Sequence, residues 1–108
     1  MSDSVLTTVK KCLGIGYDYT AFDTDIILHI NAALATLQQL GCPDFSISSG
    51  KDTWADYGIT NETVLNAVKQ FVMLKTRVIF DPPSSSFTLD GLNNQIKELE
   101  WRITAAME

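Results

Sequence analysis

The stretch "VIFDPPSSSF", residues 78–87, separates two helix-forming segments that would otherwise run together. Pro82 disfavours helical geometry at Asp81, Pro83 does the same at Pro82, and the pair favours an extended path. The residues that follow, 84–88, include several suitable helix N-caps. The stretch therefore predicts a rigid corner between two helices.

The segment after the corner, residues 87–107, has the pattern of a helix that packs along another helix. Its apolar residues recur in alternating steps of three and four, which is the a/d seam of a helical pair. The seam consists of Leu89, Leu92, Ile96, Leu99, Ile103 and Ala106. Trp101 lies off this seam, so it is either a boundary residue or an interface anchor.

The segment before the corner, roughly residues 62–80, is predicted to be a helix that starts behind Thr60 or Asn61. Its main apolar face contains Val64, Val68, Phe71, Val72, Val78 and Ile79. Other large apolar residues of this helix point in other directions, and a helix that is apolar on several sides is buried on several sides. In a chain this short, a neighbouring subunit would bury one of these sides. Lys75 falls on the main apolar face. Its ammonium either extends to water or a local carboxylate, or pairs across a subunit boundary.

The N-terminal half of the chain predicts two more helices. Residues 24–40, "TDIILHINAALATLQQL", form the clearest one, capped by Asp23 or Thr24 and closed by a left-handed Gly41. A shorter helix runs from Ser4 to about residue 13, with Ser2, Asp3 and Ser4 as candidate N-caps and a stop at the glycines of "GIG".

The region around residues 43–58 is the least regular part of the sequence. "DFSIS" alternates apolar and polar residues, so Phe45 and Ile47 are candidates for a short strand or hairpin arm. "DTWADYG" predicts one helical turn that carries Trp54 and Tyr57. The sequence thus predicts a single domain over residues 1–108. It is mainly α: a small bundle of about four helices with a short irregular or β-hairpin excursion near residues 43–58, and with helix 87–107 set off by the corner.

The charge of the chain argues against a protein that grips duplex DNA. The formal net charge is −5, whereas DNA binding draws most of its affinity from lysine and arginine. On a helical wheel, Lys69, Lys75 and Arg77 point in three directions rather than forming the basic stripe of a recognition helix. A small acidic helical DNA-binding or regulatory protein of a phage or prophage remains the alternative.

The residues that usually carry chemistry do not form a recognised site. His29 has only Asp25 one turn away, and catalysis would need a nucleophile or metal beside them. Cys12 and Cys42 show no zinc spacing and are expected to be small buried hydrophobes in a reducing compartment. No apolar stretch approaches the ~20 residues that span a bilayer. We therefore predict no enzyme activity, catalytic residue, metal, cofactor or membrane association.

Four stretches follow one another in the order of a known family. They are "YDYTAFDTDIILHINAALATLQQLG", "DTWADY", "VKQFVMLKTRVIFDPPSSSF" and "IKELEWRI". With these, the chain resembles the small head–tail connector proteins of tailed bacteriophages, also called adaptor or head-completion proteins. The corner at residues 80–83 and the "LEWR" at residues 99–102 are the most specific parts of the resemblance.

The resemblance implies a structural virion protein. Such proteins form a ring beneath the twelvefold portal after DNA packaging, lengthen the DNA channel and offer a docking surface to the next neck or tail-completion protein. The implied partners are the portal protein, that neck protein and further copies of the chain in a ring expected to be a dodecamer. DNA would pass through without sequence-specific binding. The implied location is the head–tail interface of the virion, with assembly in the host cytoplasm.

Three groups of residues are the candidate partner or subunit contacts. The first belongs to the irregular excursion, the second to the additional apolar sides of the third helix, and the third to the corner and the end of the last helix. They are Phe45, Ile47, Trp54 and Tyr57; Met73, Leu74 and Lys75; and Phe80, Pro82, Pro83, Trp101 and Arg102.

Overall fold

A computed structural model describes residues 4–108 and shows four α-helices joined by loops. They are α1 (Val5–Cys12), α2 (Asp23–Gln39), α3 (Glu62–Phe80) and α4 (Ser86–Met107), with a 3₁₀ turn (Trp54–Tyr57) between α2 and α3. The mainly helical prediction is confirmed, and the helix bounds agree with the sequence pattern to within one or two residues.

The helix α3 lies in the middle and runs opposite to α2 and α4. The Phe22 ring, at the start of α2, lies 5.4 Å from the Phe80 ring at the end of α3. At the other end of α2, a Cβ on Gly41 would lie 2.8 Å from the Cβ of Met107, the last residue of α4. Gly41 has φ +111°, the left-handed geometry predicted for the end of α2. The molecule is flat, with extents of 38 × 36 × 20 Å.

Side-chain caps begin three of the four helices. Ser4, Asn61 and Ser85 each accept a hydrogen bond from a backbone N–H in the first turn. The prediction that Asp23 or Thr24 caps α2 was wrong: the preceding residue is Phe22, which makes no side-chain cap. The Asp23 carboxylate instead pairs with a lysine of α1. Ser2 and Asp3, the other candidate caps of α1, lie outside the described residues.

The excursion at residues 43–58 is irregular, and no strand forms within it. The Asn31 side chain of α2 replaces a partner strand. Its amide donates to the Ile47 carbonyl at 2.9 Å and its oxygen accepts from the Ile47 N–H at 2.8 Å. The hairpin alternative is therefore wrong here, because a helix side chain already satisfies the backbone that a second arm would have paired.

The excursion is fastened to α1 by backbone pairing. The Val5 N–H donates to the Asp52 carbonyl at 3.0 Å, next to an isolated bridge between Ser4 and Thr53. The Asp52 carboxylate accepts from the backbone N–H groups of Ser48 and Ser49, and these bonds lower its pKa. Hydrogen bonds within residues 48–52 thus close this turn, and a separate backbone bond joins it to α1.

Burial follows the predicted faces in the middle of the helices and departs from them at the ends. On α4 the seam is buried at Ile96, Leu99 and Ile103, whereas Leu89 and Leu92 are only half-buried and Ala106 is exposed. On α3 the fully buried residues end at Thr76. Ile79, predicted on the buried face, is 52% exposed because it lies beyond the last buried position of the helix.

The two cysteines differ in environment. Cys42 is buried at 5% exposure, as expected, but Cys12 is exposed, so the expectation of burial was wrong for Cys12. Cys12 is the last residue of α1, and the apolar face of that helix turns inward at Val5 and Val9.

Reaction with a thiol reagent should therefore distinguish the two cysteines. We expect one fast equivalent from Cys12 and a second that appears only as the protein unfolds. Burial raises the pKa of the Cys42 thiol, so little reactive thiolate forms at neutral pH. Cys12→Ser should remove the fast phase and Cys42→Ser the slow one. Equal rates for both thiols in the native protein would contradict the structure.

Candidate functional site

One end of the bundle carries a cluster of partly exposed aromatic side chains. The Tyr19 ring lies 5.7 Å from Phe22, and Phe22 in turn lies 5.4 Å from Phe80. The His29 ring lies 6.5 Å from Phe80. This aromatic end therefore joins the loop before α2 to the last turn of α3, and it brings together residues that are far apart in sequence.

The proline corner leaves the bundle at the same end. The Asp81 N–H donates to the Arg77 carbonyl at 2.9 Å, and Asp81 then turns out of helical geometry with φ −143° and ψ 67°. Pro82 is exposed and Pro83 is half-buried. The corner ends α3 where the sequence predicted. Phe87, just inside α4, is 87% exposed.

A groove lies toward the opposite end, between the first half of α3 and the last turns of α4. We call it the α3–α4 groove. Its volume is about 550 Å³, and it is lined by Thr63, Val64, Asn66, Ala67, Lys69, Gln70, Met73, Leu99, Arg102, Ile103 and Ala106. The lining contains two cations and no carboxylate, histidine or cysteine. Met73 and Arg102 were predicted contact residues, but their shared groove requires the antiparallel pairing of the two helices, which the sequence pattern does not give.

Trp101 projects from the outer side of α4, with 73% of its surface exposed. Its neighbour Arg102 lines the groove and also forms an ion pair with Glu98 one turn earlier. The exposure shows that Trp101 is not needed for the core of the single chain. Its role as an interface anchor stays a prediction.

The candidate contacts of the excursion are mostly core residues. Ile47, Trp54 and Tyr57 are at most 4% exposed, and the Trp54 Nε1–H donates to the Thr8 hydroxyl at 3.1 Å. Phe45 is half-buried and stacks on Tyr57 with ring centroids 4.6 Å apart. A partner that binds this region would thus touch Phe45 and exposed neighbours, because the other three side chains are covered by their own chain.

The candidate contacts on α3 are half-buried. Met73 lies in the groove, and Leu74 and Lys75 are partly covered. The Lys75 ammonium lies 6.0 Å from the centre of the Phe71 ring. Within residues 4–108, Lys75 forms no ion pair with a carboxylate. An ion pair across a subunit boundary stays a prediction.

Lys10 is the residue that the sequence analysis missed. It is only 2% exposed, and its ammonium contacts the Asp23 carboxylate at 2.8 Å. It also donates to the backbone carbonyls of Tyr17 and Tyr19 at 3.1 and 2.7 Å. A signal was present, since residue 10 lies one turn from Leu6 and Leu13 on the apolar side of α1. This buried cation thus links α1 to the loop backbone and to the start of α2.

The described part of the chain offers no arrangement typical of an enzyme site. Within residues 4–108, no group of three histidine, cysteine or acidic side chains is placed to hold a metal ion. His29 lies beside Phe80, and no hydrogen bond joins it to Asp25 within the same residues. None of the helices in this part of the chain is long and apolar enough to cross a membrane. The features that remain are surfaces: the aromatic end, the corner, the groove and Trp101.

Comparison with protein families gives a match over almost the whole chain. A family model described as "Phage connector protein" matches residues 5–108. The chain belongs to this family of phage connectors. No curated protein and no solved structure matches the chain. The connector is thus a structural component of the virion at the head–tail junction, where it contacts other head and tail proteins. The resemblance seen in the four sequence stretches is confirmed.

Proposed function

We propose that this connector assembles into a ring beneath the portal, extends the DNA channel and presents a docking surface to the next neck or tail-completion protein. A closed ring needs two different surfaces on each subunit, because its contacts run head to tail. The observation that carries the proposal is that two unlike surfaces, the aromatic end and the α3–α4 groove, lie toward opposite ends of α3.

The exposure of large apolar side chains supports assembly. Tyr17, Phe87 and Trp101 are 80%, 87% and 73% exposed, and they belong to the loop before α2, the first turn of α4 and the last turns of α4. Aromatic residues are enriched at protein–protein interfaces, where they supply much of the binding energy. A subunit with several separate contacts, to neighbours in the ring, to the portal and to the next neck protein, would use such residues.

The charge of the chain fits a channel through which DNA slides. With a net charge of −5, a ring of twelve copies would carry a large negative charge. Carboxylates near the lumen would repel phosphate and oppose tight binding of the passing duplex. DNA then meets the ring without being held by it.

The DNA-binding alternative finds little support in the placement of the basic side chains on α3. The Lys69 ammonium lies 5.8 Å from the centre of the Trp54 ring, and that of Lys75 lies 6.0 Å from Phe71. Each ammonium lies beside a different ring of its own chain. They do not form a stripe that follows a phosphate backbone.

The molar mass in solution tests the proposal. Light scattering on a sizing column, over a series of concentrations and with or without portal, should be paired with negative-stain microscopy. We expect rings near twelve subunits, either free or recruited by the portal. A monomer that the portal does not recruit would contradict the proposal. A discrete dimer whose elution shifts on addition of DNA would favour the regulator.

The corner gives a second prediction, that Pro82→Ala/Pro83→Ala impairs assembly more than folding. Loss of both prolines should lower the free energy of unfolding by about 1–2 kcal/mol. Each proline restricts the unfolded chain, and this loss of entropy stabilises the folded state by about 0.4–1 kcal/mol. The direction in which α4 leaves α3 would no longer be fixed. Ring yield and portal binding should fall severalfold, whereas Pro43→Ala, at another exposed proline, should leave both unchanged. Normal rings and normal portal binding in the double variant would discard the idea.

A further inference from the structure

The backbone of the loop between α1 and α2 is anchored by hydrogen bonds although its tyrosine side chains face solvent. We call residues 16–20 the tyrosine loop. Lys10 binds the carbonyls of Tyr17 and Tyr19, and the Tyr19 N–H donates to the Gly16 carbonyl at 3.1 Å, so the backbone is fixed from both sides. The side chains are not: Tyr17 is 80% and Tyr19 is 51% exposed. A loop fixed in one shape loses little entropy on binding, which favours its use as a contact.

The α3–α4 groove has a size and lining suited to a tyrosine side chain. Its volume of about 550 Å³ lies within the range of roughly 300–1,000 Å³ found for ligand pockets. Its lining includes the buried Leu99 and Ile103 and the half-buried Ala67, together with the exposed polar side chains of Thr63, Asn66 and Gln70. A tyrosine combines an apolar ring with a hydroxyl that needs a polar partner, which matches a lining that is partly apolar and partly polar.

The charges of the loop and the groove are complementary. The groove lining contains no carboxylate and two cations, of which Arg102 pairs with Glu98 and Lys69 forms no ion pair within residues 4–108. The tyrosine loop carries the exposed Asp18 between its two tyrosines and has no cation. A carboxylate at the mouth of the groove would be attracted to the Lys69 ammonium, which would steer and orient the contact.

The loop cannot reach the groove of its own subunit. The Tyr19 ring packs on Phe22, which packs on Phe80 at the last residue of α3. The groove is centred near Lys69, and from Lys69 to Phe80 the helix rises about 16 Å at ~1.5 Å per residue. The occupant of the groove must therefore come from another molecule.

We propose that the tyrosine loop of one connector inserts into the α3–α4 groove of a second copy, with Tyr17 against the apolar part of the lining and Asp18 facing Lys69. The contact joins unlike surfaces at opposite ends of the subunit, so each bound copy leaves a free loop and a free groove. The inference rests on the proposed ring and names the contact that repeats around it.

Disulfide trapping tests the contact directly. In a Cys12→Ser background, the pair Tyr17→Cys/Ala106→Cys should give a ladder of linked oligomers under mild oxidation, because each copy carries both halves of the bond. Either substitution alone should give no product larger than a dimer. The control pair Phe87→Cys/Ala106→Cys places one cysteine at a more exposed aromatic position outside the loop and should give no ladder. Equal ladders from the two pairs would overturn the inference.

Mixing two blocked subunits gives a second test that does not depend on oxidation. Tyr17→Ala removes the side chain that is proposed to enter the groove, and Ala106→Trp places a large side chain in the groove. Both positions are exposed, so the thermal midpoint should stay unchanged. Neither variant should form rings alone, but an equimolar mixture should give a 1:1 complex, since one partner keeps its groove and the other its loop. Rings from either variant alone, or two monomers in the mixture, would overturn the inference.

The results separate this contact from the ring itself. Wild-type rings without a specific ladder would reject the tyrosine loop contact and leave the proposed function intact. A specific ladder from a protein that never closes into rings, with or without the portal, would support the contact and reject the ring. Absence of both would reject both proposals.

Discussion

Trp54→Ala should lower the free energy of unfolding by about 3–5 kcal/mol, the usual cost of removing a large buried aromatic side chain. Trp54 is 2% exposed, and its Nε1–H donates to the Thr8 hydroxyl. Its ring also lies under the Lys69 ammonium at 5.8 Å. One side chain thus joins the irregular excursion to α1 and α3. Denaturant unfolding followed by circular dichroism measures the loss.

The chain offers a matched control in its other tryptophan. Trp101→Ala removes the same atoms from a position that is 73% exposed and should change the stability by no more than about 0.5 kcal/mol. Trp54→Phe should cost less than Trp54→Ala, because most of the packing is kept and the principal loss is one hydrogen bond, worth about 1 kcal/mol. Equal losses for Trp54→Ala and Trp101→Ala would show that the excursion is not part of the core.

Lys10→Met should cost about 3 kcal/mol, the low end of the range for breaking a buried ion pair. Methionine keeps much of the apolar stem, so the loss comes from the ammonium and the groups it serves. These are the Asp23 carboxylate and the carbonyls of Tyr17 and Tyr19. The low end applies because the Asp23 side chain is 26% exposed and can recover part of its hydration.

Lys11→Met is the control for this prediction. Lys11 is the next residue of α1 and is exposed, so its substitution should change the stability by no more than about 0.5 kcal/mol. Proteolysis adds a local measurement: Lys10→Met should admit cleavage after Tyr17 or Tyr19 by a protease specific for aromatic residues, at a rate well above that of the wild type. Equal stabilities of the two lysine variants would mean that the buried ammonium does not hold the loop.

The two predictions also separate folding from assembly. Lys10→Met frees the tyrosine loop, so it should weaken the proposed contact between copies even under conditions where the variant is fully folded. Trp54→Ala acts on the core and should affect assembly only as far as it unfolds the chain. Disulfide trapping at temperatures well below each unfolding transition distinguishes these effects.

Much of the local structure could be predicted because it depends on neighbours in the chain. The stop at Asp81–Pro83 follows from proline sterics, and the left-handed Gly41 follows from the absence of a side chain. The steps of three and four along α4 gave its buried residues Ile96, Leu99 and Ile103, because that spacing puts them on one side of a helix. The family could also be recognised from the order of the four stretches.

The failures concern residues whose partners are distant in sequence. Aspartate is a typical N-cap residue, yet the Asp23 carboxylate forms an ion pair with Lys10 of another helix. Phe45 and Ile47 alternate like a strand, yet the Asn31 side chain occupies the backbone groups that a strand would pair. A local sequence pattern shows which polar groups need hydrogen-bond partners, but it does not show which distant residues supply them.

The sequence by itself therefore determined four helices, the corner between the last two and a family whose work is assembly. Only the tertiary structure decided where the surfaces lie. The antiparallel pairing of α3 and α4 creates the groove with Lys69 and Arg102, and burial of Lys10 turns a short connection into a fixed loop with exposed tyrosines. Helix formation depends on contacts three or four residues apart, whereas a groove or a buried ion pair exists only after distant segments pack together.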